Sequence, residues 1–305
     1  MATKHRFGTD RGLSARMLTT MLLLFGLYAV VVAVLLIEHV KWELVLVVAL
    51  IVISVQYFGS AKIAMYSMRA KIVTPEQAPR LHAVIDRLCV LANMPKPKLA
   101  IADTDVPNAF ATGRDKKHSV VCVTTGLLRR LDDPELEAVL AHELSHVAHR
   151  DVAVMTIASF LGIIAGFVTR MVAWAEMFGL GDDRNGYGQI AELGVFFFSL
   201  IFYAISFLLI RALSRYRELA ADRSGAILIG QPRILANALI KVTGEMSRVP
   251  TRDLRSAEHF NAFFFAPALA KGFSVSSLFS THPSLEKRID QLTKLEAQMG
   301  KGGVR

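Results

Sequence analysis

Long apolar runs alternate with mixed polar segments along this chain. Four runs stand out: residues 17–37, which carry no charge, then 44–61, 152–169 with a possible extension to 175, and 193–210. A bilayer span needs about 20 mainly apolar residues at 1.5 Å of rise each. The first two runs meet that length comfortably. The third and fourth are shorter, and buried core helices remain open for them.

The polar segments carry shorter periods. Leu81, Val84, Ile85, Leu88 and Leu91 recur at helical spacing within 75–92, and Met94-Pro95 stops that helix. Segments 99–101, 108–112 and 119–123 read as short strands, with Arg114-Asp115-Lys116-Lys117 as an exposed turn between the last two. Asp133 can cap a further helix, with Pro134 at its first position and Glu135 and Glu137 in its first turn. That helix ends near Arg150, where the third apolar run begins. The fourth run leads directly into a helical stretch at 211–228, and 232–247 and 285–299 predict two more helices. Residues 250–280 are rich in Phe and irregular. No internal repeat is visible.

This pattern predicts a mainly α membrane protein, with about four transmembrane helices and a cytoplasmic α+β domain built on a small β-sheet. An N-terminal transmembrane hairpin takes residues 1–61. A cytoplasmic helix, the small sheet and the helix after it take 62–151. A second transmembrane hairpin takes 152–211, and a cytoplasmic helical part takes 212–299. Residues 300–305 read as a disordered tail.

Charge sets the orientation. Lys4, Arg6, Arg11 and Arg16 precede the first run against Asp10 alone, and Lys62, Arg69 and Lys71 follow the second. The connection between them holds Glu38, Lys41 and Glu43, and residues 179–189 hold Asp182, Asp183 and Arg184. The positive-inside rule then puts the N-terminus and the polar regions in the cytoplasm. Trp42 and Trp174 fall at the outer interfaces this implies. The first run is too long for a signal-peptide core and reads as an uncleaved anchor.

Composition agrees. Of 305 residues 53% are hydrophobic, and the mean hydropathy is +0.41, above the roughly 45–50% apolar content of soluble domains. The net charge of +9 raises nucleic-acid binding as a function. The basic residues form no single stripe interleaved with aromatics, which excludes that reading. Cys89 and Cys122 have no metal-like or redox spacing and read as reduced core residues.

The chemistry lies in His142-Glu143-Leu144-Ser145-His146. Helical positions four apart share a face, so both imidazoles can reach one metal ion, and Glu143 can hold a water bound to it. Catalytic zinc sites use three protein ligands and leave a fourth position open. His149 lies too far along the helix from His142 to serve, and the histidine expected ten positions after His142 is Val152. Glu218 is the better candidate. Asp222, one turn on, can accept the free N–H of a ligating imidazole. A solvated helix with Arg215 paired to Glu218 remains the alternative.

These motifs carry a resemblance. His142 to His146 is followed by Arg150-Asp151; Glu218 by Ala221-Asp222; Thr281-His282-Pro283-Ser284 by Arg288; and Asn108-Ala109-Phe110 by Gly113. In this order they resemble the HtpX-type integral-membrane zinc proteases, gluzincin-like relatives of the CAAX prenyl proteases. The resemblance covers most of the chain. It implies a zincin-type protease domain, proteolytic activity, and one Zn2+ per chain on His142, His146 and Glu218, with Glu143 as the base. It places His282 as a donor to the oxyanion, with Arg288 supporting it. It also implies quality control of damaged or misfolded membrane proteins, under stress, in the plasma (inner) membrane. Asn108, Ala109 and Phe110 open an edge strand that can pair with an extended substrate, or a plain hairpin edge. The expected partners are protein substrates and the bilayer. Asp151 reads as a salt-bridge or cap residue, and His5, His39, His82, His118 and His259 receive no role. A CAAX-type processing protease is a second reading, disfavoured because those relatives have more spans. A scaffold that merely retains zinc is a third, and Glu143 argues against it.

Overall fold

A computed structural model describes residues 11–37, 42–151, 153–155, 158, 186–246 and 282–300. Two long helices come first, α1 (Arg11–Ile37) and α2 (Trp42–Ser67). They contain the first two apolar runs and extend beyond both. A four-stranded mixed sheet follows: β1 (Lys71–Ile72), β2 (Lys98–Ala102), β3 (Ala109–Gly113) and β4 (Ser119–Thr124), in the spatial order β1-β2-β4-β3. β2 runs parallel to β4, and the other two pairs are antiparallel. β3 therefore stands at an edge.

The remaining elements are helical: α3 (Pro79–Ala92), α4 (Thr125–Arg130), α5 (Asp133–Ala148), α6 (Gly186–Ile229), α7 (Pro232–Met246) and α8 (Leu285–Gly300). α3 starts later than the apolar period suggests because 74–78 close a turn, with Gln77 N–H donating to Thr74 O. It ends at Asn93, whose left-handed backbone (φ 51°) returns its N–H to Cys89 and Val90 carbonyls. β1 and α4 are too short to read from periodicity. Gly300, expected in a tail, belongs to α8.

The sheet has two covered faces. All six β4 residues are buried, as a central strand packed on both sides requires. Successive side chains alternate between faces. Val121 and Val123 join Leu81, Ile85 and Leu88 of α3 and Leu136, Leu140 and Leu144 of α5 in the main core. Val120 and Cys122 join Phe110 of β3 and Ala64 of α2 on the other face. Leu235 and Leu239 of α7 and Leu292 and Leu295 of α8 close the main core from below α5. Cys89 and Cys122 are buried free thiols, and burial pushes them up to about 11 and about 12.

α5 is capped by Asp132 and not by Asp133. Asp132 Oδ1 accepts the Glu135 N–H at 2.9 Å, and Glu135 Oε2 accepts the Asp132 N–H at 3.1 Å. This reciprocal capping box leaves Asp133 and Pro134 inside the first turn. α6 is one helix of 44 residues, about 66 Å long. It joins the fourth apolar run and the stretch at 211–228 into a single rod.

Counting only the described residues, no helix is long and apolar enough to cross a membrane. Large apolar side chains nevertheless face outward on the long helices: Leu18 and Phe25 of α1, Leu50 and Phe58 of α2, and Phe197 and Ile201 of α6 are each more than half exposed. Most of the run at 152–169, Trp174, residues 250–280, His5, His39, His259 and residues 301–305 lie outside the described residues. Replacing Asp132 with Ala should lower stability by about 1 kcal/mol. An unchanged denaturation midpoint for that variant would contradict the capping assignment.

Candidate metal centre

α5 and α6 cross in close contact, and the site is built at the crossing. A Cβ added to Gly225 would sit 2.8 Å from the backbone N of His142 and 2.9 Å from its Cα. Any larger side chain there would push the helices apart. Two turns earlier on α6 lies Glu218, and one turn earlier Asp222. This approach turns both carboxylates towards the face of α5 that carries His142 and His146. Glu218 thus faces the imidazoles, and the solvated pairing with Arg215 does not form.

The ligand atoms converge. His142 Nε2 and His146 Nε2 are 3.2 Å apart. Glu218 Oε2 lies 3.7 Å from His142 Nε2, and Oε1 lies 3.4 Å from His146 Nε2. Among the described residues these three form one group able to hold a metal ion, with ligand atoms within 4.8 Å of one another. His149 is the exposed C-cap residue of α5 and takes no part.

The opposite side of each imidazole is fixed by a carboxylate. His142 Nδ1 faces Asp222 Oδ1 at 2.9 Å, and His146 Nδ1 faces Asp151 Oδ2 at 2.5 Å. A neutral imidazole that donates from Nδ1 carries a lone pair on Nε2. Both lone pairs and the Glu218 carboxylate therefore point at one place, where a cation would satisfy all three. The donor set, two nitrogens and one oxygen, fits zinc. Each carboxylate has its own guanidinium. Arg288 Nε and Nη2 donate to Asp222 Oδ2 and Oδ1 at 2.7 and 2.6 Å. Arg217 Nη2 contacts Asp151 Oδ2 at 2.7 Å. The expectation of a salt bridge for Asp151 thus holds, and the residue also orients His146. Neither that role nor the part of Arg217 was read from the sequence. The nearest signal is the acidic residue just past the α5 C-cap.

Electrostatics differ sharply among the buried acids. Burial pushes Glu218 upward, but His282 and His146 outweigh it and hold the carboxyl well below the usual range. His282 Nδ1 is 3.1 Å from Glu218 Oε2. Burial also opposes ionised Asp222, and Arg288 overcomes it. Around Glu143 the nearby cations do not outweigh burial. Burial pushes it up to about 8, against the smaller pulls of His146 and a hydrogen bond from the Ala111 backbone N–H. Burial lowers His142, which favours the neutral ligand form.

The edge strand lies alongside. A small cleft is lined by Ala111, Thr112 and Gly113 of β3, by Ser119, and by His146 and Val147 of α5. Asn108 precedes β3; its N–H donates to Thr124 Oγ1 at 2.9 Å and its carbonyl accepts the Thr124 N–H at 2.9 Å. Phe110 is buried under α2. Within β3 only Ala111 is half-buried, the other four residues being buried, and it is residues 111–113 that border the cleft. Arg288 is buried, with two of its nitrogens on Asp222 and Nη1 3.9 Å from Glu218 Oε2. His82 and His118, given no role, have structural ones: His82 Nε2 meets Val73 O at 3.1 Å, and His118 Nδ1 meets Asp115 at 2.8 Å.

Comparison with known proteins agrees with this geometry. Peptidase family M48 matches residues 75–296, which include every side chain just described. The chain belongs to peptidase family M48. It is a metalloprotease, and its substrates are proteins or peptides. As an M48 member it is 52% identical over 298 residues to Protease HtpX homolog 1 of Streptomyces coelicolor, covering 97% of each chain. It is 51% identical over 297 residues to Protease HtpX homolog of Moorella thermoacetica, covering 97% of this chain and 98% of that one. Its fold is similar to the crystal structure of S. mikatae Ste24p, with a TM-score of 0.54 and 17% identity, covering 93% of this chain and 67% of that chain.

Two consequences follow for this M48 centre. Gly225→Ala should separate α5 from α6 and weaken metal binding by about 10-fold or more while helix content is retained. Metal titration of the purified variant checks this, and wild-type affinity would refute it. In metal-free protein, folded Glu143 keeps a proton that the unfolded chain loses above its ordinary value of 4.5. The Glu143 contribution to stability in chelator should therefore fall as pH rises from 4.5 to about 8, while the lowered His142 works in the opposite sense. Denaturation curves across that range should show wild type losing stability relative to Glu143→Gln as pH rises. Equal slopes would contradict the effect of burial.

Proposed function

We propose that this chain is a membrane-embedded zinc endopeptidase that cleaves membrane or misfolded proteins at the cytoplasmic face of the plasma membrane. The meeting of three ligand atoms from two separate helices carries this reading. His142, His146 and Glu218 hold one Zn2+ per chain. Bound there, zinc supplies Lewis acidity, lowering the pKa of water towards about 7 and polarising the scissile carbonyl.

The chain's own residues do the rest. Glu143 takes a proton from the attacking water and passes it to the departing amine. Glu143 is buried on α5, which packs against the sheet that carries β3, so base and substrate strand share one frame. An extended substrate pairs along the β3 edge at 111–113, next to His146. Asn108, Ala109 and Phe110 hold that edge in place from within. His282 donates to the developing oxyanion, a role supported by its place beside Glu218. Arg288 is a positioning residue: it acts on the zinc ligand His142 through Asp222.

The membrane part rests on the apolar runs, their flanking charges and the outward apolar side chains of α1, α2 and α6. Exposed large apolar side chains in this number mark contact with lipid or another protein. On this reading 1–61 and 152–211 lie in the bilayer, while 62–151 and 212–299 form the cytoplasmic protease domain. A metal-retaining scaffold would have no use for a buried acid beside its ion.

Glu143→Gln should keep its zinc and lose cleavage of a membrane substrate by about 10²–10⁴-fold. Glu218→Ala should lose the zinc itself. Metal analysis of both purified variants beside a cleavage assay tests the assignment; wild-type turnover by the first, or full zinc in the second, would overturn it.

A further inference from the structure

The turn between β3 and β4 holds three cations, Arg114, Lys116 and Lys117, and one acid, Asp115. The acid is consumed within the turn. Asp115 Oδ1 accepts the backbone N–H groups of Lys117 and His118 at 2.8 Å each, and the carboxylate meets His118 Nδ1 at 2.8 Å and Arg114 Nε at 3.4 Å. Lys117 is exposed and Lys116 half-exposed. Neither lysine side chain has an ion pair among the described residues.

The direction of the turn gives it meaning. Phe110 and Cys122 pack with Ala61, Ala64 and Met65 of α2. From there the hairpin runs towards the α2 N-terminus, and the Arg114 guanidinium lies over the Phe58 ring, 5.4 Å from its centroid. Phe58 sits about 9 Å further up the helix than Ala64, edge-on to Tyr57 at 5.2 Å. Immediately beyond it, Val55, Ile51 and Leu50 are all more than half exposed. An aromatic pair below an outward apolar surface marks a water–lipid boundary. The cation over Phe58 pins the basic turn to that level.

We propose that the β3–β4 turn binds the anionic headgroups of phospholipids in the leaflet that α2 enters. This rests on the membrane reading given above. Gly113, Asp115 and Ser119 of the same hairpin line the cleft beside His146. Headgroup binding would therefore hold the mouth of the cleft against the membrane surface, where a substrate loop or end emerges from the bilayer. Each basic side chain near an anionic surface strengthens attachment about five-fold, and added salt weakens it.

The test uses the full chain in nanodiscs of phosphatidylcholine, alone or mixed with phosphatidylglycerol. Tryptic nicking after Lys116 and Lys117 is followed by mass spectrometry. At low salt it should slow about ten-fold or more in the anionic discs, and recover at high salt. Arg114→Gln should lose about five-fold of that protection. Equal nicking in the two compositions overturns the proposal, as does equal protection by inorganic phosphate in phosphatidylcholine discs. Carbonate extraction separates the two readings. A chain released by carbonate fails the membrane reading, whereas a chain that stays but is nicked equally fails this proposal alone.

Discussion

Two imidazole nitrogens 3.2 Å apart, with a carboxylate beside them, repel one another, and the rest of the structure holds them together against that repulsion. Three buried carboxylates, Glu218, Asp222 and Asp151, face two buried guanidiniums, Arg288 and Arg217. That leaves one negative charge among these five largely buried groups. A dication would convert it to one positive charge, which ionised Glu143 would balance. Glu143 is the acid that burial keeps protonated in the absence of metal. The same groups thus set both the affinity for a cation and the readiness of the base, because a buried charge is tolerated only when paired.

Those groups stay in place because one small sheet is shared by two kinds of helix. α2 covers one face, and α3 and α5 cover the other. The alternation along β4 makes this possible: Val121 and Val123 serve the site's helix, Val120 and Cys122 serve the long apolar one. α6 adds a second link, since Glu218 and Asp222 lie on the same unbroken rod as the outward-facing Phe197 and Ile201. A tilt of either long helix would be felt at the ligands without any loop to absorb it.

What could be read from the sequence follows the range of the interactions. His142, His146, Glu218 and Asp222 were legible because spacing by four on a helix is a local property. The choice of Asp132 over Asp133 was misread, although the reciprocal partner was there to decide it. Glu135 is three residues from Asp132, whereas Asp133 would need Leu136, which cannot return a hydrogen bond. Gly225 was not legible. A glycine inside a helix looks like a defect until the backbone of α5 is found against it. Asp151 escaped because helical periodicity ends at His149. Arg150 takes a left-handed backbone (φ 56°), and the chain turns Asp151 back towards His146. Arg217 carries no signal of its own in the sequence, and its burial appears only in the folded chain.

The two clamps are unequal, and the inequality follows the position of the cleft. Arg288 grips Asp222 with two nitrogens, a geometry that fixes both position and orientation. Arg217 reaches Asp151 with one, while its Nε and Nη1 lack hydrogen-bond partners among the described residues. His142 is sealed at 1% side-chain exposure, whereas His146 is at 14% and lines the cleft with Asp151. Of the two imidazoles, the more firmly held is therefore the one that does not line the cleft. The ligand beside the edge of β3 is held by a single-bonded clamp. Small shifts as a substrate docks would then be taken up at His146, while His142 and Glu218 keep the ion in register with Glu143.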